Sequence, residues 1–207
     1  MAADRWADFW DERYDGEAFL FGENPNRFLR EQAARIRQGG TVLAPADGEG
    51  RNGVWLAEQG FDVTTFDLSP KGVAKAEGLA RAHGVRLKQA IGDAMTWPWP
   101  ESAFDAVALV FFLLPPEARR HVHRKAQAAL RPGGLLILEC YRPEQILRGL
   151  TSGGPKDIRM LPDKDTLAED FAGLETVLIE EADPVLDEGS RHSGLAATLR
   201  YVGRRAG

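Results

Sequence analysis

Apolar and polar positions along the chain switch repeatedly between the strand period and the helix period. Thr41 to Ala46 is a short apolar run, followed by a helical pattern from Gly53 to Gln59 and a second run from Phe61 to Phe66. Ser69 and Pro70 open the next helix as N-cap and first helical residue, and Gly84 closes it after His83. Val85 to Ile91 alternates as a third strand, and Phe104 to Phe111 reads as a strand covered on both faces. Pro115 to Leu130 is helical and stops at Arg131-Pro132-Gly133-Gly134, after which Gly134 to Cys140 is a fifth strand. Strand and helix alternating in this way predict an α/β fold with a doubly wound parallel sheet.

The two ends depart from that rhythm. Trp6, Phe9, Trp10 and Tyr14 recur at helical spacing and predict a helix from Asp4 to Arg13; Pro25 is placed to open a second, reaching Arg37. The aromatic-rich loop between them, Tyr14 to Asn26, is expected to lie near the site, so residues 1–40 read as a helical cap on a single domain spanning 1–207. Residues 141–162 read as loop, Asp163 to Phe171 as a short helix, and Leu174 to Ile179 and Ser193 to Arg204 as strands. No crossover helix fits between those last two strands, which predicts an antiparallel pair at the edge of the sheet.

Composition narrows the class. A chain of 207 residues, 43% hydrophobic, is enough for one domain with a sizeable core. A net charge of −5 disfavours an electrostatic grip on nucleic acid or anionic membrane. The longest apolar run, Ala106 to Leu114, has nine residues, against the roughly 20 that span a bilayer. A single cysteine, Cys140, excludes an intrachain disulfide, and the acidic, aromatic N-terminus does not resemble a secretory leader. A cytoplasmic protein is the expectation.

The candidate chemistry sits in T-V-L-A-P-A-D-G-E-G-R-N, where a buried strand passes through glycines into a helix. Gly48 and Gly50 permit a left-handed backbone and close approach to a ligand. Asp67 ends the next strand seventeen positions after Gly50, where a carboxylate is placed to accept ribose hydroxyls. Both features also suit a nicotinamide-dependent oxidoreductase, since Gly53 occupies the third position of the dinucleotide fingerprint. No His, Cys or Asp cluster has metal-ligand spacing.

Added to these are G-D-A-M at 92–95, F-D-A-V-A-L-V-F-F at 104–112 and L-R-P-G-G-L-L-I-L-E at 130–139. In this order the motifs resemble the class I S-adenosylmethionine-dependent methyltransferases over nearly all of the chain. W-x-x-R-Y, the Pro25-Asn26 pair, G-E-G-R-N and F-L-L-P-P-E are most similar to the compact tellurite-resistance-type group. The resemblance implies a Rossmann-like seven-stranded sheet of order 3-2-1-4-5-7-6 with the last strand antiparallel. The short stretch between the fifth strand and Leu174 leaves no room for a macromolecule-docking domain, which favours a small-molecule methyl acceptor. The resemblance further implies S-adenosylmethionine as cofactor and S-adenosylhomocysteine as product. It places Ala46, Asp47, Gly48, Glu49, Gly50 and Asn52 around the methionine and ribose, with Asp67 and Leu68 on the ribose side. Gly92, Asp93, Ala94 and Met95 fall at the adenine, and Phe111 faces the site. Ala44 and Ala46 stand where the family usually has an acid and a glycine, and Leu113 where relatives often have His.

Methyl transfer from a sulfonium is activated by the cofactor, so the protein mainly positions two molecules. Tyr14, Tyr141, His121, His123 and His192 are the candidates for orienting or deprotonating an acceptor; none is singled out. His121 and His123 read as solvated surface and Cys140 as a buried strand residue. Asp67 reads as a cleft carboxylate whose removal weakens cofactor binding and barely touches folding. A protein that binds the cofactor without chemistry is the non-enzymatic alternative.

Overall fold

The structure, a computed structural model, describes residues 3–207, with side chains from Trp6 onward; the expected start of the first helix at Asp4 falls partly outside the described side chains. The sheet is built from β1 (Thr41–Pro45), β2 (Asp62–Asp67), β3 (Lys88–Ile91), β4 (Phe104–Val110), β5 (Leu130–Tyr141), β6 (Leu174–Ala182) and β9 (Thr198–Arg205). Its order is β3-β2-β1-β4-β5-β9-β6. The first five strands are parallel; β9 runs antiparallel to both β5 and β6. Counting β9 as seventh in the large sheet, this is the expected 3-2-1-4-5-7-6 order.

Alternation along the central strands sends successive side chains into two separate cores. Val42, Ala106, Ala108, Leu135 and Ile137 meet Phe28 and Leu29 of α2 (Arg27–Gln32) and Leu56 of α3 (Arg51–Glu58). The intervening Leu43, Val107, Leu109, Leu136 and Leu138 meet Val122 and Ala126 of α5 (Pro116–Ala129) and Leu167 of α7 (Lys164–Asp170). Helices therefore cover both faces, which is why these strands read as continuous apolar runs. Against the outer end of α3 lies α4 (Pro70–Ala82), capped by the Ser69 hydroxyl accepting from the Gly72 amide, with Pro70 in its first turn.

Several boundaries differ from the sequence reading, each for a local reason. Ser193 to Arg204 is not one strand: β8 (Ser193–Leu195) pairs with β7 (Val185–Asp187) in a separate hairpin, and only Thr198 onward joins the large sheet. Ala196 and Ala197 bridge the two, fully buried, with the Ala197 amide held by the Gln145 side chain. The second helix begins at Arg27, because Asn26 caps it by accepting from the Leu29 amide, and it gives way to a 3-10 turn at Ala33–Arg35. The third strand is confined to Lys88–Ile91, where β2 provides backbone partners. The stretch after β5 contains α6 (Glu144–Leu147) and a 3-10 turn at Ile158–Met160. Among the described residues no helix is long and apolar enough to cross a membrane.

Candidate functional site

The carboxyl ends of β1 and β4 diverge at the point where strand order reverses, which opens a crevice there. Two non-glycine residues with positive φ mark it: Ala46 after β1 (φ 52) and Phe111 after β4 (φ 49). Strained backbone concentrated at a crevice is a signature of a functional site. The positive φ at Ala46 is the conformation for which glycine is the usual choice.

The turn after β1 is held by carboxylates. Asp67 accepts from the Gly48 amide through Oδ2 at 2.8 Å and from the Ser69 amide through Oδ1 at 2.9 Å. Asp47 accepts from the Gly53 amide at 3.0 Å, so the first turn of α3 is tied back to the loop. Gly50 (φ 91) packs so tightly on α4 that a Cβ there would sit 2.6 Å from that of Ala76. Burial, with Asp67 nearby, pushes the Asp47 carboxyl up to about 7. The Asp67 carboxyl is raised as well, by burial, against the pull of the Ser69 and Gly48 amides. Glu49 has a cation of its own, Lys75 Nζ at 2.5 Å, and accepts from the Leu20 amide. The loop thus carries two crowded acids whose bonds are to backbone amides.

Beyond β3, the Gly92 amide donates to the Asp67 carbonyl, joining the ends of β2 and β3. Asp93 Oδ1 closes an Asx turn on the Met95 amide at 2.9 Å. Ala94 is buried, Leu68 half-buried, and Met95 is 41% exposed at the rim. Behind them Trp97 stacks on Phe66 at 4.3 Å and seats this loop on the core.

The N-terminal segment lies directly over the turn. Helix α1 (Ala3–Tyr14) docks on α4 through Asp11, which accepts from the Ser69 hydroxyl and the Lys71 amide. Tyr14 is 6% exposed, and its hydroxyl lies where a Cβ on Gly48 would come within 2.6 Å. Burial and the nearby Asp67, Glu49 and Asp47 push that phenol well above its ordinary range, so it remains a neutral donor. Lys75 Nζ also donates to the carbonyls of Gly16 and Ala18. The Asn26 amide donates to Asn52 Oδ1 at 2.9 Å.

A third group of residues closes the other side of the crevice. The rings of Phe21, Phe111 and Tyr141 surround His192, at centroid distances of 4.5, 4.5 and 5.6 Å. Beneath them runs a buried ionic network: Arg51 Nη2 to Glu188 at 2.8 Å, Asn26 Nδ2 to Glu188 at 3.2 Å and to Glu139 at 2.6 Å, and Arg200 Nε to Glu139 at 2.6 Å. Sequence reasoning quoted Asn26, Arg51 and Glu139 inside its motifs but missed Glu188, Arg200 and the pairing of all five. The available signal was Glu139, an acid inside the apolar run L-L-I-L-E-C-Y, which a strand covered on both faces tolerates only with partners.

Of the five orienting candidates, Tyr14, Tyr141 and His192 are at the crevice. His123 is not the solvated surface residue the sequence suggests. Its ring is buried, stacks on Phe171 at 4.4 Å and lies 2.8 Å from Asp170, which also pairs with Arg119. The cause is that α5 turns Arg119, Val122, His123 and Ala126 inward and α7 supplies the carboxylate. His121 is half-buried, with Nε2 enclosed. Cys140 is buried in β5 and its thiol is pushed up by burial, so it is not a nucleophile at neutral pH.

A doubly wound sheet with a glycine turn, an acid after β2 and a crevice at the switch point has the form of a nucleoside-binding domain. Residues 42–134 match a family model described as a methyltransferase domain. Thiopurine S-methyltransferase of Pseudomonas aeruginosa (strain LESB58) is 28% identical over 221 residues, covering 88% of this chain and 99% of that protein. Glycine/sarcosine N-methyltransferase of Parasynechococcus marenigrum (strain WH8102) is 31% identical over 156 residues and 70% of this chain; the chain spans about half (51%) of that relative's length. TehB from Haemophilus influenzae superimposes with a TM-score of 0.70 at 17% identity, covering 96% of this chain and 66% of that one. Residues 42–134 thus carry the match to a methyltransferase domain, and the sheet around them has the fold of the class I S-adenosylmethionine-dependent methyltransferases. The likeness to TehB is one of fold.

Proposed function

We propose that this protein transfers the methyl group of S-adenosylmethionine to a small, ring-bearing acceptor. The observation that carries the reading is the pair of crowded acids, Asp47 and Asp67, on a glycine turn at the β1/β4 switch point, a site whose charge calls for a cationic ligand. The residues fit this cofactor. The Gly48 and Gly50 region with Asp47 suits the methionyl end and its ammonium; Asp67 retains lone pairs for ribose hydroxyls. Leu68 continues the ribose side, and Gly92, Asp93, Ala94 and Met95 form the adenine side. When bound, the cofactor supplies an activated methyl group on a sulfonium. The chain's own part is to hold the acceptor against Phe111, Tyr141 and Phe21 and to exclude water beneath α1 and the Tyr14–Asn26 loop. The relatives' acceptors, a thiopurine and small amines by their names, are small molecules.

An oxidoreductase built on the all-parallel 3-2-1-4-5-6 order is disfavoured by β9, which is antiparallel to β5 and inserted before β6. Calorimetry is expected to show binding of S-adenosylmethionine and S-adenosylhomocysteine and none of NAD. Tight NAD binding without either sulfur nucleoside would sink the reading.

The same acids give binding a pH dependence. A cation beside Asp47 favours its ionised form, so the complex holds fewer protons than the free protein. Affinity for S-adenosylmethionine is therefore expected to rise with pH up to about 7, where Asp47 titrates, and to level off above it. One linked proton sets a limit of about tenfold per pH unit below that point. Calorimetry at pH 6 in two buffers of different ionisation enthalpy measures the released proton directly; proton uptake on binding would contradict the assignment.

A further inference from the structure

Glu188 and His192 sit at the two ends of the tip that joins β7 to β8, with the Glu188 amide donating to the His192 carbonyl at 2.8 Å. This tip folds their side chains inward rather than into solvent, and His192 is 6% exposed. Its Nδ1 is buried without a hydrogen-bond partner and faces Glu188 Oε2 at 3.7 Å. An interior nitrogen left unpartnered is unfavourable, so the position asks for a reason. A carboxylate just beyond bonding distance of a base is the loose form in which catalytic pairs occur before a ligand tightens them. Glu188 is itself fixed by Arg51 at 2.8 Å and by Asn26, so its carboxylate has little freedom to turn away.

Resting on the methyl-transfer reading, we propose that His192, oriented by Glu188, takes the proton from the acceptor's nucleophilic atom, and that the acceptor is an aryl hydroxyl or aryl thiol. The walls around the imidazole are the rings of Phe21, Phe111 and Tyr141, which suit a flat aromatic acceptor. A neutral imidazole matches acids of the phenol and thiophenol class, whereas an alkyl alcohol is far too weak an acid for it. The charged or titratable groups facing His192 are Glu188 on its own hairpin, Arg51 at the start of α3 and Tyr141 at the end of β5. Burial holds the imidazole below its ordinary value, Arg51 adds to this and Glu188 opposes it, so the ring is neutral at pH 7. As the new bond from methyl carbon to oxygen or sulfur forms, the methyl–sulfonium pair stays on the donor sulfur, leaving a neutral thioether. The acceptor's proton moves to Nε2 of His192, Nδ1–H turns to Glu188, and water later removes the proton. His192 is a catalytic residue in this scheme and Glu188 a positioning residue.

Two measurements on the full chain test this without turnover. Nitrogen-resolved NMR of the free protein is expected to show His192 neutral at pH 7 with its hydrogen on Nδ1. In Glu188→Gln its titration moves to still lower pH, because the group opposing burial is gone. A hydrogen on Nε2, or a charged ring at pH 7, overturns the proposal. The second uses 4-nitrophenol and thiophenol, whose absorption bands report ionisation. One pH unit below each probe's own pKa, on the order of a tenth is ionised in water. The bound probe is expected to be more than half ionised in the native protein, about a fivefold rise, and to fall back to the aqueous fraction in His192→Gln. Ionisation of only one probe assigns the acceptor atom as oxygen or sulfur. Failure of both probes to bind, or binding without ionisation, overturns the aryl acceptor. Calorimetry without uptake of S-adenosylmethionine would instead remove the methyl-transfer reading and leave the probe result standing.

Discussion

Asp67→Ala is expected to weaken S-adenosylmethionine binding by about 30- to 1,000-fold and also to lower the stability of the free protein. The affinity loss follows from removing a charged acceptor for two ribose hydroxyls, about 2–4 kcal/mol. Water entering the vacated space makes the lower half of that range the expected one. The stability loss comes from the other side of the same carboxylate. Its oxygens accept from the Gly48 and Ser69 amides, both buried, and alanine leaves the two donors without partners. Two such bonds would cost several kcal/mol, but the raised carboxyl pKa shows that burying this charge is itself unfavourable. The net expectation is about 1–3 kcal/mol, or roughly 3–10 °C in Tm. This reverses the expectation from sequence that folding would be indifferent to Asp67. Calorimetry and thermal melting of the variant separate the two roles. Unchanged affinity would remove Asp67 from the ribose, and an unchanged Tm would mean that burial of the charge cancels the amide bonds.

The contrast shows what the linear pattern reveals. Strand-to-helix periodicity, the glycine turn and the acid after β2 are local in sequence, and the fold follows from them. The parallel sheet covered by helices was legible because each central strand is apolar on both faces, whereas the strand order came from the family resemblance of the motifs and not from periodicity. What failed were statements about partners distant in sequence. His123 looked solvated because Asp170 lies on another helix, 47 residues on. Ser193 to Arg204 looked continuous because alternation persists through the point where the chain leaves one sheet for another. The ionic network under His192 spans residues 26 to 200, and no spacing rule links its members. Glu139 alone announced that something was being balanced.

Glu139→Ala is expected to be among the most destabilising single changes outside the cofactor turn, at about 3 kcal/mol. The side chain is 2% exposed and takes Arg200 on one oxygen and Asn26 on the other, both at 2.6 Å. Deleting it leaves the Arg200 guanidinium beside the core with Glu180 as its one acidic partner among the described residues, at 3.3 Å near the sheet edge. It also frees one hydrogen of Asn26, whose carbonyl caps α2 and whose backbone amide holds Asn52 of α3. The damage therefore reaches the crevice: Asn26 also holds Glu188, so looser packing there is expected to move the His192 titration as well as the melting temperature. A paired replacement discriminates a charge left alone from a hole left in packing. Glu139→Leu combined with Arg200→Met removes both charges while keeping most of the volume, and apolar substitution of whole buried pairs is often near neutral. The double variant is expected to be more stable than Glu139→Ala by about 1–3 kcal/mol, with the two changes strongly non-additive in denaturant unfolding. If it is no better than the single variant, the loss is one of packing and of the Asn26 bond. The Arg200 charge would then play no part in holding β9 against β5.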